Sequence, residues 1–591
     1  MFAGPRTVLE VDLTTETFSR RELDDAVLGA TLGGVGLAVW LLDERIAGPV
    51  DPLGPENALV FAAGPFGATP VPAANKHAVA TISPLTGLLN EGLSSSHWSA
   101  GLRRCGLAAL VVHGAAARWT TLVIADDDVR FIDAEPLLGT SARETTKRVR
   151  AALDDRTART CAIGVAGERG VAFATLENDG RQAGRGGSGA VMGAKHLKAI
   201  VLRGRGNVRV ADPAQTARLA ATLRARAVGP ATAKYRVTGT GANLRVLARM
   251  GQLPTRNFRA ATFEAVEAVT PERARESRGE YLELRAGCAG CPVQCEHMYV
   301  RKGRPGASAA ASEYESVWAF GPNCGVADLD AVLDAIHACD ALGLDTISTG
   351  SAIAFAMECA QHGLVDVDAF GPPLHFGNGA VLVPAVEAIA AGRGLGAVLG
   401  RGVRAAARTI GGAAPAFAMH AKGLELPGYE PRALPTYALG LATCTRGACH
   451  NRAATYDRDL RAPDEARDAA DRARDAIEAE DRAAVWDALV LCKFVRDCFD
   501  DFYAEAAALW TAVTGLALDA AALRVAGQRH WERKRAINAR LGWTHADDAL
   551  PPRLFEPIAD GPLAGRRIDR EQLARMQAIY ENLRAVPAVV R

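Results

Sequence analysis

The 591-residue chain lacks a charge excess: 68 basic residues stand against 67 acidic ones, a formal net charge of +1. That balance gives no long-range attraction to nucleic acid or to an anionic membrane, so neither is an expected partner. The chain also lacks any run of 18 or so apolar residues, and no transmembrane helix is expected. Its opening, MFAGPRTVLEVDLTTETF, has no basic region followed by an apolar stretch and does not read as a secretory signal. No repeat of fixed period runs through it. Twelve cysteines in a chain this long, with one tight cluster, do not make a disulfide framework, which points to a reducing cytoplasm. What remains is an ordinary globular composition, 49% hydrophobic and 23% charged, rich in glycine at 59 residues. The length suits roughly three or four domains.

The cluster is Cys288-Ala-Gly-Cys291-Pro-Val-Gln-Cys295. Three thiolates within eight residues can face one soft metal centre, the ligand type that iron–sulfur clusters require. A zinc site usually pairs two short clips, and the second clip is missing here, so a fourth ligand must come from a distant segment. A zinc knuckle or three structural cysteines are the alternatives. A cluster carries electrons, which makes redox chemistry the first functional expectation.

Residues up to about 205 read as strands and turns. Thr7–Leu13 alternates as a strand does, and Leu59–Ala63, Ala108–His113 and Ala199–Leu202 are short apolar runs between glycine and proline. After the connector 204–213, Pro213 opens a helical pattern. From there the chain reads as mainly helical, for example over Leu329–Leu342 and Val383–Ala391, with a Gly-rich break at 363–379 and a second boundary near 410–425. Residues 461–484 alternate charge signs at a helical period and read as a solvated helix. The expected fold class is α+β: a β-rich domain over 1–207, a helical domain with the cysteine triad over 208–415, and a helical C-terminal domain over 416–591.

Gly184-Arg-Gly-Gly-Ser-Gly-Ala-Val-Met-Gly193 places five glycines in ten residues, so backbone N–H groups can approach an anionic or planar ligand. Arg185, Lys195 and Lys198 add cations suited to phosphate. It is neither a dinucleotide fingerprint nor a Walker A loop. Its wording, AGRGGSGAVMGAKHLKAIVLRG, closely resembles the signature of the aldehyde:ferredoxin oxidoreductase family, tungsten or molybdenum pterin enzymes. VDLTT, LGGVGLA, DPLGPENALVFAAGP, SPLTG at 83–87, RGACHNRA at 446–453 and DALVLCKF at 487–494 are similar to that family in the same order.

The resemblance implies a site. Cys492, at the end of Asp487-Ala-Leu-Val-Leu-Cys492, takes the place of the fourth ligand of a [4Fe–4S] cluster, with Val490 where the family has glycine. Cys498, six residues on, would face elsewhere on a helix. Asp340 and Asp345, in Asp340-Ala-Leu-Gly-Leu-Asp345, and Asp487 are implied to accept hydrogen bonds from pterin ring nitrogens. The resemblance implies a metal held by two pterins, with no protein ligand to it expected. Lys76 falls where the family has arginine for a pterin phosphate, a point charge in place of a fork. Arg181 and the backbone of Ala183, Gly184, Arg185, Gly186 and Gly187 cover the other pterin side. The loop Glu91-Gly-Leu-Ser-Ser-Ser-His-Trp98 departs most: Leu93 replaces an asparagine, and Ser95 and Ser96 replace glycines. Contact from this loop, which includes Ser94, to a magnesium bridging the pterin phosphates is implied. Glu313 resembles the proton-accepting carboxylate of the family's E-Y-E segment, with Glu315 second, and His450 resembles the active-site histidine, expected to titrate near neutrality.

The implied reaction is aldehyde oxidation to a carboxylic acid, with electrons passing through the single cluster to ferredoxin or to small iron–sulfur and flavin subunits. The family also pairs as homodimers. Two alternatives stand beside it: a related tungsten enzyme reducing an aromatic acyl-CoA, and a non-catalytic electron-transfer subunit that keeps the fold without the pterin metal.

Overall fold

The structure, a computed structural model, describes residues 2–95, 97–277, 279–306, 308–452, 454–461 and 467–585. Strands β1 (Thr7–Asp12), β2 (Thr17–Glu22), β3 (Leu59–Ala63), β4 (Lys76–Ile82), β5 (Leu89–Ser95) and β6 (Leu107–His113) form one sheet in the order β2-β1-β6-β3-β4-β5. Strands β7 (Thr120–Ala125), β8 (Asp128–Asp133), β9 (Arg159–Ala162), β10 (Leu176–Asn178), β11 (Arg181–Ala183) and β12 (Leu197–Leu202) form a second, in the order β11-β10-β9-β12-β7-β8. β1 runs parallel to β6, and β7 to β12.

The period of two explains the packing. On β3, Leu59, Phe61 and Ala63 enter a core shared with Leu122, Ile124 and Ile200 of the second sheet. Val60 and Ala62 face the opposite way, into a core with the Gly34–Asp43 helix and C-terminal side chains such as Leu489 and Trp510. A strand covered on both faces is apolar throughout, so β3 reads as a continuous run and not as an alternation.

Asp212 then caps the Pro213–Ala227 helix, its side chain accepting from the Gln215 N–H at 2.9 Å, and the chain becomes mainly helical. The helix Thr346–Gln361 runs through the largest core, with every residue from Ile347 to Cys359 buried. The helix Ala469–Leu489 packs on Ala520–Arg540 and Arg570–Arg584 and reaches back to Gly34–Asp43. The architecture is the expected α+β arrangement, a β-rich N-terminal region followed by largely helical ones.

Two differences bear on the site. A three-stranded antiparallel sheet, β13 (Tyr281–Ala286), β14 (Glu296–Arg301) and β15 (Ala310–Ala311), interrupts the helical region. The charge-alternating segment is helical from Ala469, with 462–466 outside the described residues, but one side of it is not solvated. Arg472 is buried against Asp459 at 3.1 Å, and Glu480 against Arg584 at 2.8 Å. Among the described residues no single helix is long and apolar enough to cross a membrane. A bent pair, Asp25–Thr31 with Gly34–Asp43, passes by composition, and its second helix is buried against β3 and β4.

Candidate active site

The cysteine triad occupies the connection between β13 and β14, whose last ladder pair, Ala286 and Glu296, closes the loop at its base. Asn75 holds the tip, its amide donating to the Ala289 carbonyl at 2.7 Å. Cys492 arrives from the C-terminal region at the end of the Ala469–Leu489 helix, its N–H donating to the Ala73 carbonyl at 2.9 Å. All four thiols are partly buried, and Cys492 and Cys288 both lie within electrostatic reach of Cys291 and Cys295. Burial pushes the Cys291 thiol up to about 11. Lys76 stands here too. Burial disfavours its ammonium, but the charges of Cys492, Cys288 and Cys295 outweigh that and raise its pKa.

Cys498 ends the short 3-10 turn after Cys492 and is buried in the apolar core, as its position around the turn suggests. Val490 adopts the left-handed conformation that the family's glycine would take, φ 59°, and caps its helix through an N–H bond to the Trp486 carbonyl. Gly343 does the same at φ 80° in the partner motif. Both motifs are thus a helix end, a left-handed residue, and a polar side chain two residues on: Asp345 in one, Cys492 in the other.

The three aspartates differ in environment. Both carboxylate oxygens of Asp487 are buried without a hydrogen bond, with Arg452 at 3.3 Å and Lys493 at 3.5 Å. Asp340 is pushed up to about 7 by desolvation and by the neighbouring charges of Glu177, Glu313 and Glu296, with only Gln182 donating to it at 3.2 Å. Asp345 caps the Thr346–Gln361 helix through one oxygen, 3.0 Å from the Ser348 N–H. Buried acceptors without donors fit a ligand that carries ring N–H groups, as a pterin does. Arg181 lies beside Asp340's neighbours, paired with Glu296 at 2.9 Å.

The glycine loop meets protein closely. A Cβ on Gly186 would strike the Asn90 amide, and one on Gly187 the Ala172 carbonyl, and both hold positive φ. Arg185 is spent on the Ala448 and Glu425 carbonyls, at 2.7 and 2.5 Å, with Asp345 at 3.5 Å. Arg446 grips the loop from the other side through the Arg185 carbonyl at 2.8 Å. Ala183 is buried on β11, and Gly184 leaves room, its nearest foreign atom being Asp345 Oδ1. Lys195 and Lys198 are not phosphate ligands in waiting. Lys195 donates to the Gly114 carbonyl at 3.0 Å, and Lys198 to Ile163 and Glu168, deep between strands. The segment 91–98 is strand to Ser95, with Ser96 outside the described residues, and Ser94 donates to Asn178 at 2.7 Å, joining edge strand β5 of the first sheet to β10 of the second. Buried Glu91 is bound by Arg452 and Lys534, which hold its carboxyl below the usual range.

His450 meets Glu315 and not Glu313. Glu313 is exposed at the start of the Tyr314–Phe320 helix, within reach of Arg181, Glu296 and Asp340. Glu315 Oε1 lies 3.6 Å from His450 Nδ1 and has no hydrogen bond, while Oε2 accepts from the Gly428 N–H at 2.9 Å. The Asn451 amide nitrogen is 3.0 Å from His450 Nε2. With that nitrogen donating, Nε2 accepts and Nδ1 carries the proton. Desolvation, then the charge of Arg185, pushes the imidazole down to about 3, so it does not titrate near neutrality as expected. Desolvation pushes Glu315 up to about 7 instead. Tyr314, Tyr429, Tyr437 and Tyr456 surround the pair.

Sequence reasoning assigned no role to Arg452, Lys493, Arg446 or Asn451, although all four stand inside the quoted phrases RGACHNRA and DALVLCKF. Glu177 and Glu296 had no such signal.

Comparison with known proteins accounts for the arrangement. The profile of the aldehyde ferredoxin oxidoreductase N-terminal domain matches residues 8–204, and that of domains 2 and 3 of the same family matches 219–584. The tungsten-containing aldehyde ferredoxin oxidoreductase of Pyrococcus furiosus is 34% identical over 603 residues, covering 99% of this chain and 96% of its own. That of Thermococcus kodakarensis is 34% identical with the same coverage. The WOR-like subunit of an aliphatic sulfonate oxidoreductase of Pyrococcus furiosus is 27% identical, covering 99% and 95%. Among solved structures, the active site complex BamBC of benzoyl coenzyme A reductase with 1,5-dienoyl-CoA shares the fold at a TM-score of 0.84 and 24% identity, over 99% of this chain and 95% of that one. The chain belongs to the aldehyde ferredoxin oxidoreductase family of tungsten- or molybdenum-pterin, iron–sulfur oxidoreductases.

Proposed function

We propose that this chain oxidises an aldehyde to the carboxylic acid, RCHO + H2O → RCOOH + 2H⁺ + 2e⁻, and passes the electrons through one [4Fe–4S] cluster to a ferredoxin or a partner subunit. The Glu315–His450 pair carries the reading: a carboxylate poised near pH 7 beside an imidazole that stays neutral. The tungsten-containing relatives, matched over nearly the whole chain, support it. When bound, the metal–pterin supplies the two-electron oxidant and the cluster the one-electron relay.

The chain's own residues have separate tasks. His450 donates its Nδ1 proton toward the carbonyl oxygen, and Glu315 accepts a proton from the attacking water. Asp340, Asp345 and Asp487 accept from pterin N–H groups, and Arg181 with the backbone of 183–187 lines the pterin side. Cys288, Cys291, Cys295 and Cys492 hold the iron, with Lys76 balancing their charge. Asp487 and Cys492 stand five residues apart at one helix end, so a single rigid segment fixes the pterin against the cluster.

Reduction of an aromatic acyl-CoA is a second reading. The tyrosines favour it: Tyr429 stacks on Tyr456 with centroids 4.6 Å apart, and lies 5.9 Å from the His450 ring, a wall suited to a planar group. Tungsten, molybdenum and iron per chain, measured on anaerobically purified protein, test both against an electron-transfer subunit that holds iron alone. Product analysis with aldehydes and with aryl-CoA esters then separates the two chemistries. Acid formation from an aldehyde is the expected result.

A further inference from the structure

A cavity of about 430 Å³ opens beside the cysteine hairpin, and its wall includes Ala289 and Gly290, the two residues between Cys288 and Cys291. Among the other lining residues, small and polar for the most part, the charged ones are four arginines and one aspartate. Arg104 comes from the end of the Trp98–Arg104 helix, Arg159 from β9, and Arg203 and Arg205 from the segment after β12. The single carboxylate in the lining, Asp155, is bound to Arg203 at 2.8 Å. Arg159 has only a 3.8 Å approach to Asp179. Arg104 and Arg205 are exposed and have no ion-pair partner among the described residues.

The cavity floor is built, because Asn75 ties Ala289 to the Ala68 N–H through bonds of 2.7 and 2.8 Å, and Ala68 also lines it. With a formal charge of +1 on the whole chain, four arginines in one concavity are a local concentration and no bulk property. A concave cationic surface raises the local concentration of anions and steers their approach. An anionic macromolecule seated here would lie against the loop that carries the three clustered cysteines.

We propose that this cavity docks an acidic electron-carrier protein, one of whose surface carboxylates enters among Arg104, Arg159 and Arg205 and brings the carrier's redox group against Ala289–Gly290. The inference rests on the proposed cluster at Cys288, Cys291, Cys295 and Cys492. Charge complementarity selects the occupant: a carboxylate-rich carrier gains from these arginines, and a small cationic dye does not.

The test uses the holoenzyme and the double variant Arg104→Glu, Arg205→Glu, with an acidic two-cluster ferredoxin and with benzyl viologen as acceptors. At low salt the variant's kcat/KM for ferredoxin falls at least about tenfold while the viologen rate stays within about twofold, and the ferredoxin gap narrows as salt is raised. Equal ferredoxin rates in variant and wild type, or equal loss with both acceptors, would overturn the docking site. Calorimetric binding of the same ferredoxin to the iron-loaded protein reads the surface without turnover. Its Kd should rise at least about tenfold in the variant. An unchanged Kd overturns the proposal whatever substrate the enzyme turns over, whereas a shifted Kd with no aldehyde oxidation in the wild type would fault only the functional reading.

Discussion

Val490 and Gly64 are fitted to each other. A Cβ on Gly64 would lie 2.6 Å from the Val490 Cβ and 3.0 Å from the Leu489 carbonyl. A β-branched residue in the left-handed region is strained by roughly 1–2 kcal/mol, and the glycines of the N-terminal region leave space for its side chain. Gly64→Ala should therefore lower stability by about 1–3 kcal/mol through overpacking. Adding Val490→Gly should recover most of that loss. Denaturant midpoints of the four proteins in this cycle measure the coupling.

Glu315→Gln should leave iron and group-six metal per chain unchanged and lower turnover by about 10²–10⁴-fold. The folded pKa, about 7, lies above the ordinary 4.5, so the folded protein holds this proton more tightly than the unfolded chain. Ionising it costs stability as pH climbs from about 4.5 through 7. Activity runs the opposite way, because only the carboxylate accepts a proton. Turnover should rise across the same window and level off above it, and the variant's profile should lose that limb. Glu313→Gln, at an exposed position away from His450, should change turnover by less than about threefold.

Cys492→Ser should lose iron, and with it electron transfer to every acceptor. Cys498→Ser should keep the full iron complement, since its thiol packs in the apolar core. Iron per chain and the spectrum of the reduced cluster separate these outcomes. Full iron in Cys492→Ser would move the fourth ligand elsewhere.

Asp487→Asn should weaken pterin retention, because one of two unpartnered acceptors becomes a donor facing a ring donor. A lost buried hydrogen bond to a charged group costs about 1–3 kcal/mol, about 5- to 160-fold in occupancy at limiting cofactor. Pterin and tungsten or molybdenum per chain, after anaerobic purification, report it. Iron content should stay nearer to wild type.

The sequence discloses most of the proposed ligand set and little of its electrostatics. The convergence of Cys288, Cys291, Cys295 and Cys492 was legible from spacing and phrase, and β3 and the Leu329–Leu342 helix from periodicity. The partner of His450 was not. The Tyr314–Phe320 helix is buried on nearly every side, so no polar face shows which way Glu315 points. The depressed imidazole pKa was hidden too, because it arises from burial first and then from Arg185, Lys493, Arg452 and Arg446, which converge from segments more than 250 residues apart in the extreme case. The β13–β14 hairpin escaped notice although Leu282, Leu284 and Ala286 share one face of β13, because it is a short interruption in a mainly helical stretch and both leucines are exposed and not part of a core.

Arg185 closes on the carbonyls of Glu425 and Ala448, and Cys492 closes on Ala73. A chain made only as far as the glycine loop therefore lacks the carbonyls that hold Arg185 and the fourth proposed thiolate, so neither proposed receptacle is complete until the segment ending at residue 492 has joined the fold.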